Sequence, residues 1–498
     1  MIDIQVFYLI PSGSPCRTPS KMTIPAWQQK AEAKRAAVFA NIPKKWLLPP
    51  DILSKISQNS PQNVLNTTCD ILSDEEIDIT ENHDATDLLA KLASRELTSV
   101  AVTTAFCKRA AIAQQLTNCL TEIFFDRALE RAAQLDSYLE KTGKTVGPFH
   151  GLPISVKDSF NIAGIPSTIG FVSYIDNPPA SNNAALVSIL LDAGAVLYVK
   201  TNIPQTLMTP DSHNNVFGRT LNPHRLTLTA GGSSGGEGAI VAMRASPLGV
   251  GTDIAGSIRI PALCCGTFGF KPSMGRVPYG GQCSGGRPGA PGFGPSAGPL
   301  SHSARDAALF LKTVFNANGT DLDELALAVP WLEPPAGKTT PIRLGLVPED
   351  PVLPLHPPMR RALSTAVEKL AAAGITIVDL SGQMPSFSKA SETAFRFFNM
   401  DPKRTSFAHI AKSGEPPVPS LKCTYPSGET IPEPVLDEVF ELNVARRGYI
   451  AAMHKVFVSN RIDALIGPAY QTCALPHDTY TLPAYTVMFN LIDVSPSS

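Results

Sequence analysis

Apolar positions along the chain fall into alternating helical and strand-like runs. Residues 1 to 21 are Pro- and Ser-rich with no helical period and read as a disordered tail or a mis-assigned start. From Met22 the amphipathic stretch TIPAWQQKAEAKRAAVFANI opens an N-terminal helical arm over 22–83. From Asp84, Leu88, Leu89, Leu92, Leu97, Val100 and Phe106 recur at close to helical spacing, which predicts helix through residue 115. FDRALERAAQLDSYLEKTG gives a further helix that stops at Gly143. GPFHGLPISVKD then reads as a turn and a short apolar strand ending at Lys157, and AALVSILLDAGAVLYVK as a helix, a Gly stop and a buried strand ending at Lys200. This alternation predicts an α/β fold with a parallel or mixed sheet.

The second half is less regular. Residues 264–300 are too rich in Gly and Pro for regular elements, and an irregular segment of that length usually covers a site. SHSARDAALFLKTVF gives an amphipathic helix; IRLGLV and ITIVDL read as strands around a helix in which Met359, Leu363, Val367 and Leu370 share a face. KASETAFRFFNM predicts a helix, VLDEVFELNVARRGYIAAMHKVFVSN a long one followed by a strand, and the chain closes on the apolar run YTVMFNLIDV before SPSS.

Composition narrows the class without identifying it. The 498 residues are 43% hydrophobic and 17% charged with a net charge of −1, as in an ordinary globular protein, so nothing points to nucleic acid or an acidic membrane as partner. Nine cysteines are scattered with no C-x-x-C pair, which argues against a disulfide frame or a zinc site and for a reducing compartment, the cytoplasm. The apolar start MIDIQVFYLI is too short and too acidic for a signal peptide, and no run approaches the ~20 apolar residues of a membrane span.

Candidate chemistry concentrates in residues 231–261, GGSSGGEGAIVAMRASPLGVGTDIAGSIRIP. Glycines allow backbone N–H groups to converge on one point, so a serine among them has an oxyanion to attack and donors to stabilise it. Ser257 is the candidate nucleophile, with Ser233 and Ser234 in the neighbouring turn. Lys157, at the carboxyl end of a predicted strand, is the candidate base, since a desolvated lysine titrates near neutrality. Lys200 competes for that role, and His150 and His213 invite a Ser-His reading. GGSSGGEG lacks the Lys-Ser/Thr of a phosphate loop, and no His/carboxylate motif has metal-ligand spacing, so no cofactor or metal is expected.

GGSSGGEGA followed by GTDIAGSIRIPA closely resembles the signature of the amidase signature family, and GLPISVKD resembles its lysine segment. FGRTLNP, FGFKPSMGR and GPLSHSARD also look like family segments in family order, so the resemblance spans about residues 84–494. It implies a domain over 84–498 built on a large twisted mixed β-sheet with helices on both faces. It further implies an acyl-enzyme amidase acting on linear carboxylic amides, with the family's Ser-cisSer-Lys triad at Ser257, Ser233 and Lys157. The oxyanion hole would fall on the backbone N–H groups of Ile254, Ala255, Gly256 and Ser257, with Leu207 lining the acyl pocket. Ser234, Asp253 and Arg259 would be structural supports. The overall resemblance is to fungal-type acetamidases and the fatty acid amide hydrolase branch; the partner implied is a small-molecule amide, and a homodimer is compatible with it.

Two features depart from the family pattern. Ala255 stands where many members have Gly, which predicts a cost if φ is positive there. Where family members run on for several tens of residues after the LIDV segment, SPSS stands here, which predicts a shortened C-terminus. The alternatives are therefore a truncated, non-catalytic relative or, with less support, an amidotransferase-like subunit.

Overall fold

The computed structural model describes residues 24–333, 341–425 and 434–493. Strands β1 (Leu120–Ile123), β2 (Pro153–Lys157) and β3 (Val196–Thr201) precede a short ribbon of β4 (His213–Asn214) and β5 (Gly218–Arg219), followed by β6 (Leu248–Asp253), β7 (Phe268–Gly269) and β8 (Ser296–Ser301). Six of these form one mixed sheet in the order β1-β3-β2-β6-β8-β7. Its centre, β3-β2-β6, is parallel, and β1, β8 and β7 add antiparallel flanks. Strands β9 (Arg343–Leu346), β10 (Thr376–Asp379) and β11 (Ala464–Ile466) make a second, parallel sheet in the order β10-β9-β11.

Alternation along β3 shows how the large sheet is covered on both faces. Val196 and Tyr198 enter one buried cluster with the helices Ser99–Thr117 and Gly235–Ala242. Leu197 enters another with Ile154, Val156, Leu248 and Val250, beneath the helices Ala85–Ala93, Ala185–Asp192 and Ala304–Asn316. Successive side chains of a strand point to opposite faces. Ser155 and Lys157 on β2 therefore face the helix Gly235–Ala242, and both lie at or near the carboxyl ends of parallel strands, where open α/β sheets place their sites.

Several expectations meet physical exceptions. The helical run predicted from Asp84 is two helices, Ala85–Ala93 and Ser99–Thr117, broken where Arg95 takes a φ of 64°. The second starts at a Thr98 cap, and the Asp136 carboxylate accepts the N–H groups of Ser99 and Val100 at 2.6 and 3.0 Å. Residues 264–300, expected to lack regular elements, include β8, whose sequence SAGPLS pairs with β6 along its whole length. Gly298 is needed there because a Cβ would lie 2.2 Å from the Phe270 carbonyl oxygen. Residues of the N-terminal arm, among them Ala31, Val38, Ile42 and Trp46, share the buried cluster of Ala110, Leu116 and Val196, so the arm packs into the main core. The predicted tail over residues 1–21 and the closing SPSS lie outside the described residues. Ahead of SPSS, the apolar run forms the helix Ala484–Ile492, buried against the helix Phe387–Phe398. No helix among the described residues is long and apolar enough to cross a membrane.

Candidate active site

Lys157, the last residue of β2, has no exposed surface. Its Nζ donates to Ser233 Oγ at 2.7 Å and to Thr252 Oγ1 at 2.8 Å. Burial among neutral groups lowers its pKa to about 7, against the opposing pull of the Asp253 and Glu237 carboxylates. Ser233 follows a cis peptide bond from Gly232. Gly232 itself is obligatory, since a Cβ would stand 2.5 Å from the Thr209 carbonyl oxygen. Ser233 and Ser257 are almost buried, at 3% and 9% exposure, and both line one cavity.

The turn that carries Ser257 is built on a buried ion pair. Asp253, at the end of β6, accepts from the backbone N–H groups of Gly256 (2.8 Å) and Ile258 (3.1 Å) and from Arg259 Nε and Nη2 (3.1 and 2.9 Å). Burial alone would raise the Asp253 pKa, but the Arg259 guanidinium and its hydrogen bonds hold it well below the usual carboxylate range. The C-terminal helix closes this network: Asn490 Nδ2 donates to Asp253 Oδ1 at 2.9 Å, Arg259 Nη2 to Asn490 Oδ1 at 2.7 Å, and Thr486 Oγ1 to the Ala255 carbonyl at 2.7 Å. Ser234, one residue past Ser233, donates its backbone N–H to the Ser257 carbonyl at 3.1 Å. Its hydroxyl bridges both backbone groups of Thr252 at 3.3 Å.

Two expectations about backbone are revised. Of the four N–H groups expected to face an oxyanion, that of Gly256 is already committed to Asp253 Oδ1, whereas no acceptor for those of Ile254, Ala255 and Ser257 stands among the described residues. The positive φ feared for Ala255 belongs instead to Gly256, at 124°. The methyl group of Ala255 therefore costs no backbone strain.

The cavity measures about 1460 Å³ and runs from the two serines past Leu207, Met208, Ile254 and Tyr279 to a wall of Phe293, Phe397, Phe398 and Phe407. The Gly/Pro-rich residues 281–291 border it, as the sequence led one to expect of a long irregular segment. Leu207 does line it, with a φ of 64° following Thr206 at 69°, a kink held by Gln205, whose side chain bonds Glu415 and the Val418 N–H at 2.8 and 3.0 Å.

The competing candidates are engaged elsewhere. Lys200 Nζ donates to the Pro166 carbonyl and Ser167 Oγ (2.8 and 2.6 Å) and lies 3.4 Å from the buried Asp158, so its contacts are structural. His213 Nδ1 accepts from Arg219 Nη2 at 3.0 Å, with a pKa lowered to about 4 by burial and that guanidinium. His150 Nδ1 accepts from the Val146 N–H at 3.1 Å. Neither histidine borders the cavity.

Residue spacing missed Thr252 and Glu237. Glu237 is wholly buried, accepts from Ser155 Oγ at 2.6 Å and Thr201 Oγ1 at 2.7 Å, and has its pKa raised to about 7 by burial, against the hydrogen bonds and the nearby Lys157. An acidic residue inside the apolar helix Gly235–Ala242 was the available signal.

The profile of the Amidase family matches residues 101–498. The chain belongs to the amidase signature family of amide hydrolases. An amidase of Gibberella moniliformis is 44% identical over 476 residues, covering 95% of this chain and 89% of that protein. An acetamidase of Emericella nidulans is 36% identical over 480 residues, covering 94% and 85%. Among solved structures, a fatty acid amide hydrolase superposes with a TM-score of 0.87 at 36% identity, covering 94% of this chain and 82% of its own. A bacterial aryl acylamidase of the same family superposes at 0.70 with 25% identity, covering 82% and 87%. The amidase fold thus accommodates the mixed sheet and the helices on its two faces.

Proposed function

We propose that this amidase hydrolyses a linear carboxylic amide to an acid and ammonia or an amine through an acyl-enzyme on Ser257. The observation that carries the reading is the contact between Lys157 Nζ and Ser233 Oγ, 2.7 Å, at the edge of the cavity that Ser257 lines. A lysine titrating at about 7 has a free lone pair at neutral pH. Ser257 Oγ attacks the carbonyl carbon as its proton passes to Ser233 Oγ and the Ser233 proton passes to Lys157 Nζ. The carbonyl electron pair moves onto oxygen, facing the N–H groups of Ile254, Ala255 and Ser257; one such donor contributes about 3 kcal/mol. Collapse breaks the C–N bond, with the lysine's proton returned through Ser233 to the leaving nitrogen. Water then cleaves the ester by the same relay run again.

Thr252 completes the base. A neutral amine has two N–H donors and one lone pair; an N–H given to Thr252 Oγ1 leaves the lone pair for the Ser233 hydroxyl. The cavity, about 1460 Å³ and aromatic-walled, exceeds the roughly 300–1,000 Å³ of ordinary small-molecule sites, which supports an extended acyl or aryl amide over acetamide. Cys69, Cys107, Cys119, Cys264, Cys265, Cys283 and Cys473 are free, which suits a reducing compartment, and the cytoplasm is the location this reading takes.

An active-site fluorophosphonate, read by intact mass, tests it. Wild type should gain one adduct and Ser257→Ala none, with ammonia or amine released from a panel of amides by wild type alone. A folded wild type that resists the probe and releases nothing overturns the reading.

A further inference from the structure

The chemistry proposed above uses the buried end of the cavity and leaves its solvent-facing end unexplained. Four charged side chains border the cavity: Arg287, Asp401, Arg404 and Lys422. Asp401 is consumed within its own turn. Its carboxylate accepts the N–H groups of Lys403 (3.0 Å) and Thr405 (2.7 Å) and pairs with Arg287 at 3.4 Å. Arg404 and Lys422 are exposed and have no acidic partner among the described residues. Among the described residues that border the cavity, cations are therefore in excess.

The fold fixes the backbone from which these two cations project. Arg404 sits in a left-handed conformation, φ 44°, immediately before the helix Thr405–Ser413, in the turn that Asp401 closes. Three residues on, Phe407 packs edge-on against Tyr425 with ring centroids 4.9 Å apart, and Tyr425 stands three residues after Lys422. Leu207, Phe407 and Tyr425 pack against one apolar cluster, which joins the wall near the serines to the segments that carry Arg404 and Lys422. A substrate lying along this wall with its amide at Ser257 would bring its far end toward Arg404 and Lys422.

We infer that the preferred substrate carries an anionic group, a carboxylate as the test case, at the end remote from the scissile amide. This deepens the hydrolase reading and rests on it. A guanidinium with no carboxylate of its own is a planar fork matched to one, and Lys422 adds a point charge. The apolar middle of such a molecule would be covered by the aromatic wall.

The test uses 4-nitroanilides of α,ω-dicarboxylic acids of increasing length, each against the anilide of the matching ω-hydroxy acid, and a second series with the carboxylate on the amine side. Wild type should favour the carboxylate by about tenfold in kcat/KM at one or more lengths in either series. The preference should shrink in ~0.5 M salt, because the rim is open to screening. Arg404→Ala and Lys422→Ala should lower turnover of the carboxylate substrate and leave the hydroxy substrate within about twofold, a split that a loss of fold would not produce. Arg404→Glu with Lys422→Glu should transfer the preference to ω-amino anilides. Equal handling of both members at every length, or equal losses on both in the variants, overturns the inference. Direct binding of the same anilides to Ser257→Ala separates the two claims. Preferential carboxylate binding without wild-type turnover sinks the hydrolase reading alone, and turnover with no binding preference sinks the charge reading alone.

Discussion

Lys157 Nζ and Ser233 Oγ lie 2.7 Å apart, with the lysine wholly removed from solvent. The contact joins the end of β2 to the turn that follows residue 230, 76 positions apart in sequence. The burial that lowers the lysine's pKa, and so suits it to the proposed role of base, also makes it costly to fold.

With a pKa of about 7, Lys157 is neutral above that value, so kcat/KM should rise with pH through a limb centred near 7. Lys157→Ala should lose about 10²–10⁴-fold in activity, whereas Lys200→Met should keep the position of the limb. The stability effect runs in the same direction with pH, over a higher window. Between the unfolded value of 10.5 and the folded value of about 7, the unfolded chain holds a proton that the folded chain lacks, so stability falls as pH drops across that window. Lys157→Met should melt above wild type at pH 7, with the gap closing toward pH 10.5. Thermal scans and pH–rate profiles on the same preparations check both statements, and a rate limb near 10 would refute the first.

Burial raises the Glu237 pKa to about 7, and the charge it gains on deprotonation favours the protonated lysine. Glu237→Gln keeps the shape and acceptor of the side chain facing Ser155 and Thr201 but removes that charge. The Lys157 pKa should then fall further, moving the acid limb of the rate profile to lower pH by about one unit. An unmoved limb would show that Glu237 is only a packing group.

Asp253→Asn strips the charge from a buried pair and leaves Arg259 uncompensated, a loss of about 3–5 kcal/mol by analogy with other buried pairs. Asn490→Ala removes one arm of the same network and should cost about 1–2 kcal/mol while slowing fluorophosphonate labelling of Ser257. Because the Asp253 pKa is depressed, its contribution is present above the unfolded value of 3.8 and is lost only as pH falls through the lower folded value. Denaturation curves at pH 5 and pH 7 should therefore show the same penalty for Asp253→Asn.

Gly256 and Ala255 make a contrasting pair. At Gly256, a φ of 124° and a Cβ 2.4 Å from Thr486 Oγ1 predict that Gly256→Ala loses about 2 kcal/mol or more and most of the labelling. Ala255→Gly should leave activity within about threefold, because Ala255 needs no positive φ. Parallel melting and labelling of the two variants decide this, and a sensitive Ala255→Gly would contradict it.

The helix Phe125–Thr142 with its Gly143 stop, and β2 and β3 with the helix between them, were legible from local periodicity. β8 was not, because Gly298 and Pro299 disguise a strand whose partners β6 and β7 impose it from both sides. Lys157 and Lys200 show the same limit within a site. Both end apolar strands and both are buried, but Lys157 meets the cavity-lining hydroxyls of Ser233 and Thr252, whereas Lys200 meets Pro166, Ser167 and Asp158 away from the cavity.

The sequence by itself determined the family, the α/β class and the short list of reactive groups, because glycine-framed serines and apolar strands ending in lysine are written in adjacent residues. Only the tertiary structure decided which lysine meets the cavity-lining Ser233, that Asp253 takes the Gly256 amide, and that Asn490 and Thr486 brace the turn from 231 positions away. Those choices depend on which strand ends meet and which donors are already engaged, and no local pattern encodes either.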